Sequence, residues 1–114
     1  MKELSIVQKA YDLIKWCVPI LNRLPKNHKF TLGDRITNKL YDLLEGLIEA
    51  KYAKKKLVQL ECLNTQLNIL RYQTRFLLDF ELISLKRYEY ASQLINDIGV
   101  ELGAWIKRQQ EREK

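Results

Sequence analysis

Arg71 and Arg75 stand four residues apart in a run that reads Asn64, Asn68, Arg71, Arg75 and Asp79. At helical spacing these five side chains form one narrow polar line. A guanidinium meets a phosphate in two-pronged fashion, so two arginines on that line are a candidate phosphate-facing pair. Like charges four apart on a helix are mildly unfavourable, and Asp79 can relieve one of them. The same residues also suit an interhelical or intersubunit salt bridge. Spacing alone leaves both readings open.

Lysines supply a second source of positive charge. Lys51, Lys54, Lys55 and Lys56 form the densest cluster, and Lys26, Lys29, Arg35 and Lys39 form another. Residues 1–57 hold 12 basic and 6 acidic side chains, whereas residues 58–114 hold 8 of each. The formal charge of +6 therefore resides in the first half. Such asymmetry points to an anionic partner, met through phosphates rather than base edges. The plainer reading of Lys51–Lys56 is a solvated helix end whose lysines complement the dipole.

Catalytic chemistry has little to work with. His28 is the only histidine, and it reads as a solvated loop residue. Cys17 and Cys62 fall among apolar residues at helical spacing and read as reduced core thiols. One imidazole with two remote thiols gives no metal site of normal ligand count. It also gives no nucleophile, base and orienting group. Gly33 and Gly46 are isolated, so no phosphate-cradling loop is present, and no Glu-x-x-His pair exists for a di-iron bundle. The reading is of a non-enzyme with no cofactor and no metal. Tyr11, Tyr41, Tyr52, Tyr72, Tyr88 and Tyr90 fall at core or boundary positions, where packing with the hydroxyl toward water is the default rather than base stacking.

Four helices must position these residues. The chain has 114 residues with only four glycines and two prolines, too few turn residues for an all-β fold. One domain over 1–114 is expected, burying about 65% of its unfolded surface. The first helix spans about 4–24, with Ile6, Ala10, Leu13, Cys17, Ile20 and Leu24 on one face. Pro19 predicts a kink within it, and Pro25 its end. Residues 25–31 read as a loop, with Thr31 as N-cap of a second helix over about 32–53 and Asp34 completing the cap. Leu32, Ile36, Leu40, Leu43, Leu47 and Ala50 are its buried stripe, and Gly46 permits close approach. The third helix, about 56–82, has one stripe of Leu60, Leu63, Leu67, Leu70, Thr74 and Leu77. Ile69, Phe76 and Phe80 make a second stripe, a surplus that a subunit interface would use. Ser84 caps the fourth helix, about 85–110, whose inward face is Tyr88, Ala91, Ile95, Ile98, Leu102 and Trp105. The charged tail over 107–114 should fray. Gly99 and Gly103, four apart beside Trp105, predict close packing that offsets the roughly 1 kcal/mol each costs in a helix. The fold class is all-α, an antiparallel up-down-up-down four-helix bundle. No apolar run approaches the ~20 residues of a membrane span, and no signal segment is evident. A cytoplasmic location without membrane contact is expected.

The residues Leu24, Pro25, Lys26, Phe30, Thr31, Leu32 and Gly33 resemble the first-loop motif of accessory variability determinant (Avd) proteins of diversity-generating retroelements. Leu44, Ile48, Glu49 and Ala50 are similar to that family's second helix, and Leu70, Arg71 and Arg75 to its paired-arginine motif. Ile83, Ser84 and Tyr88 lead into Ile98, Gly99, Leu102, Gly103, Trp105 and Ile106, which resembles the terminal glycine–tryptophan motif. The resemblance covers about residues 4–108. Val100 stands where a basic residue is common, and Ala104 where a second glycine is. The resemblance implies a barrel-shaped homopentamer with a basic surface. It implies binding to a reverse transcriptase and to RNA, with DNA as a further polyanion, in mutagenic retrohoming. Lys26, Lys29, Arg35, Lys51, Lys54, Lys55, Lys56, Arg71 and Arg75 are the candidate contacts. A related group, four-helix proteins encoded in intervening sequences of bacterial 23S ribosomal RNA genes, shares the architecture and is the alternative, a structural or RNA-associated protein with no polymerase partner.

Overall fold

The structure, a computed structural model, describes residues 2–113, with side chains from Ser5 onward. Lys114, the end of the charged tail, lies outside the described residues. Among the described residues there are four long helices: α1 (Lys2–Leu21), α2 (Asp34–Tyr52), α3 (Leu57–Asp79) and α4 (Leu85–Arg112). Each packs on the next, and α1 packs on α4, which closes a four-helix bundle. It measures 48 × 23 × 20 Å.

The apolar stripes meet in one core. Leu13, Leu40, Leu47, Leu60, Leu67, Leu70, Ile98 and Leu102 are almost wholly removed from water. Each such side chain contributes ~1.5–3 kcal/mol through burial. Gly46 is a true close approach: a Cβ there would come within 2.4 Å of the Leu63 side chain on α3. The Gln59 amide adds a bond to the Gly46 carbonyl at 3.1 Å. Between α1 and α4, Lys9 pairs with Glu101 at 3.2 Å, and the Trp16 and Tyr90 rings lie 4.9 Å apart.

Helix ends show where local chemistry decides. Ser84 has extended backbone, and its hydroxyl accepts the Arg87 N–H at 3.1 Å, a standard N-cap. At the end of α3, Glu81 takes a left-handed φ of 59°. The Leu82 N–H bonds to the Leu77 carbonyl at 2.8 Å and the Glu81 N–H to that of Leu78 at 2.9 Å. That double bond pattern is a Schellman motif, formed without its usual glycine.

Two expectations require correction. Residues 26–33 are not a loop: Lys26–His28 is helical and Lys29–Gly33 is a π-helical turn leading directly into α2. Pro25, in extended conformation, starts the helix, its carbonyl accepting N–H groups of His28 and Lys29 at 2.9 and 2.8 Å. Thr31 therefore caps nothing, and its hydroxyl bonds back to the Asn27 carbonyl at 3.1 Å. The described tail, expected to fray, is helical. Helix α4 continues to Arg112, and the Glu113 carboxylate accepts both the Leu57 N–H at 3.2 Å and the Gln109 amide at 2.7 Å. A carboxylate at the start of α3 meets orphan N–H groups and the positive end of its dipole, which secures the tail.

Candidate nucleic-acid interface

The polar line of α3 runs along the rim of its contact with α4. Arg71 is half-buried there, and Gly99 of α4 is the reason. A Cβ on Gly99 would lie 2.5 Å from Arg71 Nη2 and 3.4 Å from Leu67 Cδ1's sister methyl, Cδ2. The bare face of Gly99 thus seats a guanidinium as well as admitting a neighbouring leucine. Arg71 Nη1 also donates to Asn68 Oδ1 one turn back. Gly103 behaves differently from expectation. Among the described residues nothing lies within 4 Å of a Cβ built on it.

Arg75 lies one turn beyond Arg71 and is exposed. Its Nε donates to Asp79 Oδ1 at 3.1 Å. The bond to Asp79 and its charge, with a smaller contribution from Tyr88, hold the guanidinium pKa above its ordinary value. Asp79 therefore relieves Arg75 within one helix, and among the described residues no interhelical ion pair involves either arginine.

Asn68, Arg71, Tyr72, Arg75 and Tyr88 line an open hollow of about 280 Å³. Arg71 and Tyr88 also edge a second hollow of about 530 Å³ between α3 and α4, whose polar lining includes Glu89, Ser92, Gln93 and Asn96. The two adjoin at Arg71 and Tyr88, which line both, whereas Arg75 lines the smaller one.

The lysines are held less uniformly than their density implies. Lys56 folds back over the end of α2, and its ammonium donates to the carbonyls of Ala50, Lys51 and Ala53 at 2.9, 2.8 and 2.8 Å. It is a C-cap, its charge spent on orphan carbonyls. Lys54 and Lys55 are exposed and Lys51 is half-buried, with its ammonium 5.5 Å from the Tyr52 ring centre. Lys26 and Arg35 are exposed. The Lys29 ammonium lies 5.4 Å from the Phe30 ring centre, and Lys39 bonds to Gln66 of α3. The two lysine groups flank α2, whose 19 residues span ~28 Å. They do not merge with each other into one patch.

Other candidates for chemistry fall away from any cluster. His28 is half-buried in the short helical segment, its ring 5.7 Å from Phe80. Cys17 is buried, which pushes its thiol pKa up to about 12. Cys62, expected in the core, is instead exposed on α3. Both are free thiols, and among the described residues no three His, Cys, Asp or Glu side chains gather as metal ligands. No helix among them is long and apolar enough to cross a membrane.

Spacing misjudged Tyr72, as it did Tyr11, Tyr41, Tyr52 and Tyr90, all of them exposed. Tyr72 is 74% exposed rather than at a boundary, and it forms part of the groove. The signal was available: Tyr72 follows Asn68 by four and precedes Arg75 by three, so all three share one helix face. The second stripe of α3 is exposed too, with Ile69 at 38%, Phe76 at 46% and Phe80 at 52%.

The fold recurs elsewhere. A crystal structure from Bacteroides thetaiotaomicron, of a protein of unknown function from the S23 ribosomal protein family, matches with a TM-score of 0.85. Identity is 21%, over 94% of this chain and 99% of that one. This likeness concerns architecture. No curated protein sequence matches the chain. Residues 4–109 match the bAvd-like family, a span that takes in the groove, both lysine groups and nearly all of the four helices. The chain belongs to the bAvd-like family.

Proposed function

We propose that this chain is the accessory protein of a diversity-generating retroelement, binding its reverse transcriptase and RNA during mutagenic cDNA synthesis and retrohoming. The observation that carries this reading is the Arg71–Arg75 groove, on a chain whose family and charge both point to a polyanion. The protein contributes no catalytic group of its own; the polymerase performs the chemistry. DNA is a second polyanion for the same surface.

The bundle is up-down-up-down. Two contacts support that topology: His28 beside Phe80 brings the α1–α2 connection to the end of α3, and Glu113 on Leu57 brings the end of α4 to the start of α3. It assembles as a cyclic homopentamer in the cytoplasm. The exposed stripe of Ile69, Phe76 and Phe80 supports assembly, because large apolar side chains left uncovered along one helix face suit a contact surface. Repetition of the subunit turns the two lysine groups into bands with a sizeable field.

A second reading has one observation behind it, the shared architecture of the S23-family protein. Under it the chain is a structural or RNA-associated bundle without a polymerase partner. Affinity-tagged protein, expressed with the reverse transcriptase and template RNA of a retroelement from its own locus, separates the two. Co-purification of the polymerase supports the first reading. RNA recovered without polymerase supports the second, and recovery of neither overturns both.

A further inference from the structure

We infer that the groove between α3 and α4 is a site for one unpaired nucleotide, its phosphate on Arg71 and Arg75 and its base against Tyr72 and Tyr88. The inference rests on the nucleic-acid reading above and specifies which nucleic acid, single-stranded rather than paired.

Three observations lead there. First, the two hollows differ in charge. The hollow of about 280 Å³ is lined by Arg71 and Arg75 with no carboxylate, whereas the adjoining hollow of about 530 Å³ has Arg71 and one carboxylate, Glu89, among neutral polar groups. A phosphate is favoured in the first hollow over the second. The second offers the Ser92 hydroxyl and the Asn96 amide to a base edge or sugar. Second, aromatic rings flank the cationic hollow. Tyr72 stands 74% exposed on its rim and Tyr88 forms the wall it shares with the other. Aromatic side chains beside a positively charged track are what sequence-tolerant single-strand binding uses, because every base presents a stackable face. Third, the cleft lies between two helices. A duplex keeps its bases stacked inside and cannot place one there; paired RNA is met across its broad groove instead.

Gly99 is a positioning residue in this site. Its missing side chain lets the Arg71 guanidinium lie down on α4, while Asn68 holds the other nitrogen. A methyl group at that position displaces the free end of Arg71 without removing its charge, and the end of an arginine moves easily.

The test compares fluorescently labelled RNA of one sequence, single-stranded or annealed, with single-stranded DNA of that sequence as a third arm. Titrations use the full-length protein and its Tyr72→Ala, Tyr72→Phe and Gly99→Ala variants, with circular dichroism to verify folding. Single strands should bind at least tenfold more tightly than the duplex. Tyr72→Ala should weaken single-strand binding roughly tenfold, Tyr72→Phe should preserve it, and neither should alter duplex binding. Gly99→Ala should weaken single-strand binding severalfold with helix content intact. The DNA arm tells whether the ribose hydroxyl contributes: equal affinity for the two single strands fits a site that reads phosphate and ring, and tighter RNA binding fits one in which Ser92 or Asn96 also meets the sugar. Equal affinity for duplex and single strand, with Tyr72→Ala unchanged, overturns the inference and leaves the broader RNA-binding reading standing. Absence of any binding removes both.

Discussion

Replacing Arg71 and Arg75 together with glutamate is expected to weaken RNA binding by a hundredfold or more without altering helix content or oligomeric state. The reversal removes two charge-assisted contacts to phosphate, each worth ~1.5–3 kcal/mol, and sets two carboxylates facing the RNA. At ~1.4 kcal/mol per decade, that exceeds two orders of magnitude. The fold has little at stake. Arg75 is exposed and its pair with Asp79 lies within one helix, an arrangement that contributes little to stability. Arg71 rests on Gly99 and bonds to Asn68, and among the described residues it makes no ion pair. Anisotropy titrations with sedimentation velocity check this. If the variant dissociates into monomers, the arginines belong to a subunit interface rather than to a phosphate-binding face.

Trp105→Ala should cost about 3–5 kcal/mol of stability, the range for truncating a large buried aromatic. Trp105 is 2% exposed and joins the core from α4. For a chain of this length the midpoint of thermal unfolding should fall by roughly 10–30 °C. Trp105→Phe should be much milder. It retains most of the apolar volume, and it deletes an indole N–H that has no hydrogen-bond partner among the described residues. Thermal melts followed by circular dichroism give both numbers. A Trp105→Ala melt within a degree or two of the parent would mean the indole does not anchor the core.

The helices were legible because their apolar residues recur at three and four, and burial follows that rhythm. Every member of the first α3 stripe, from Leu60 to Leu77, is buried, and Ala91, Ile95, Ile98, Leu102 and Trp105 line the inner face of α4. Ser84 was legible as a cap because a hydroxyl before a helix has one strong local use. The segment after Pro25 was not, since Lys26, Asn27, His28 and Lys29 suit a loop and a solvated helical turn equally well. The tail was misread because its anchor is tertiary: Glu113 finds Leu57, far away in the chain. Gly99 and Gly103 share a face in a wheel diagram, yet only Gly99 meets a neighbour, because α3 passes beside one and not the other.

The candidate site follows the same division. The arginine line was readable from spacing, as was Asp79 as a partner for one arginine. The groove was not, since it needs Tyr88 from α4 set against Tyr72 from α3. Lysine density also overstated the available charge. Lys56 is spent as a cap on three carbonyls, something visible only once the turn after α2 is closed.

A basic bundle with an uncovered apolar stripe is expected to assemble with itself and to hold a polyanion through charge. Sedimentation velocity of the protein, alone and with RNA from its own locus, at low and at high salt, measures both properties at once. The expected result is a particle near five times 13.6 kDa that takes up RNA at low salt and releases it as salt rises, because counterion release drives binding. A monomer of 13.6 kDa whose boundary is unmoved by RNA at either salt would contradict it.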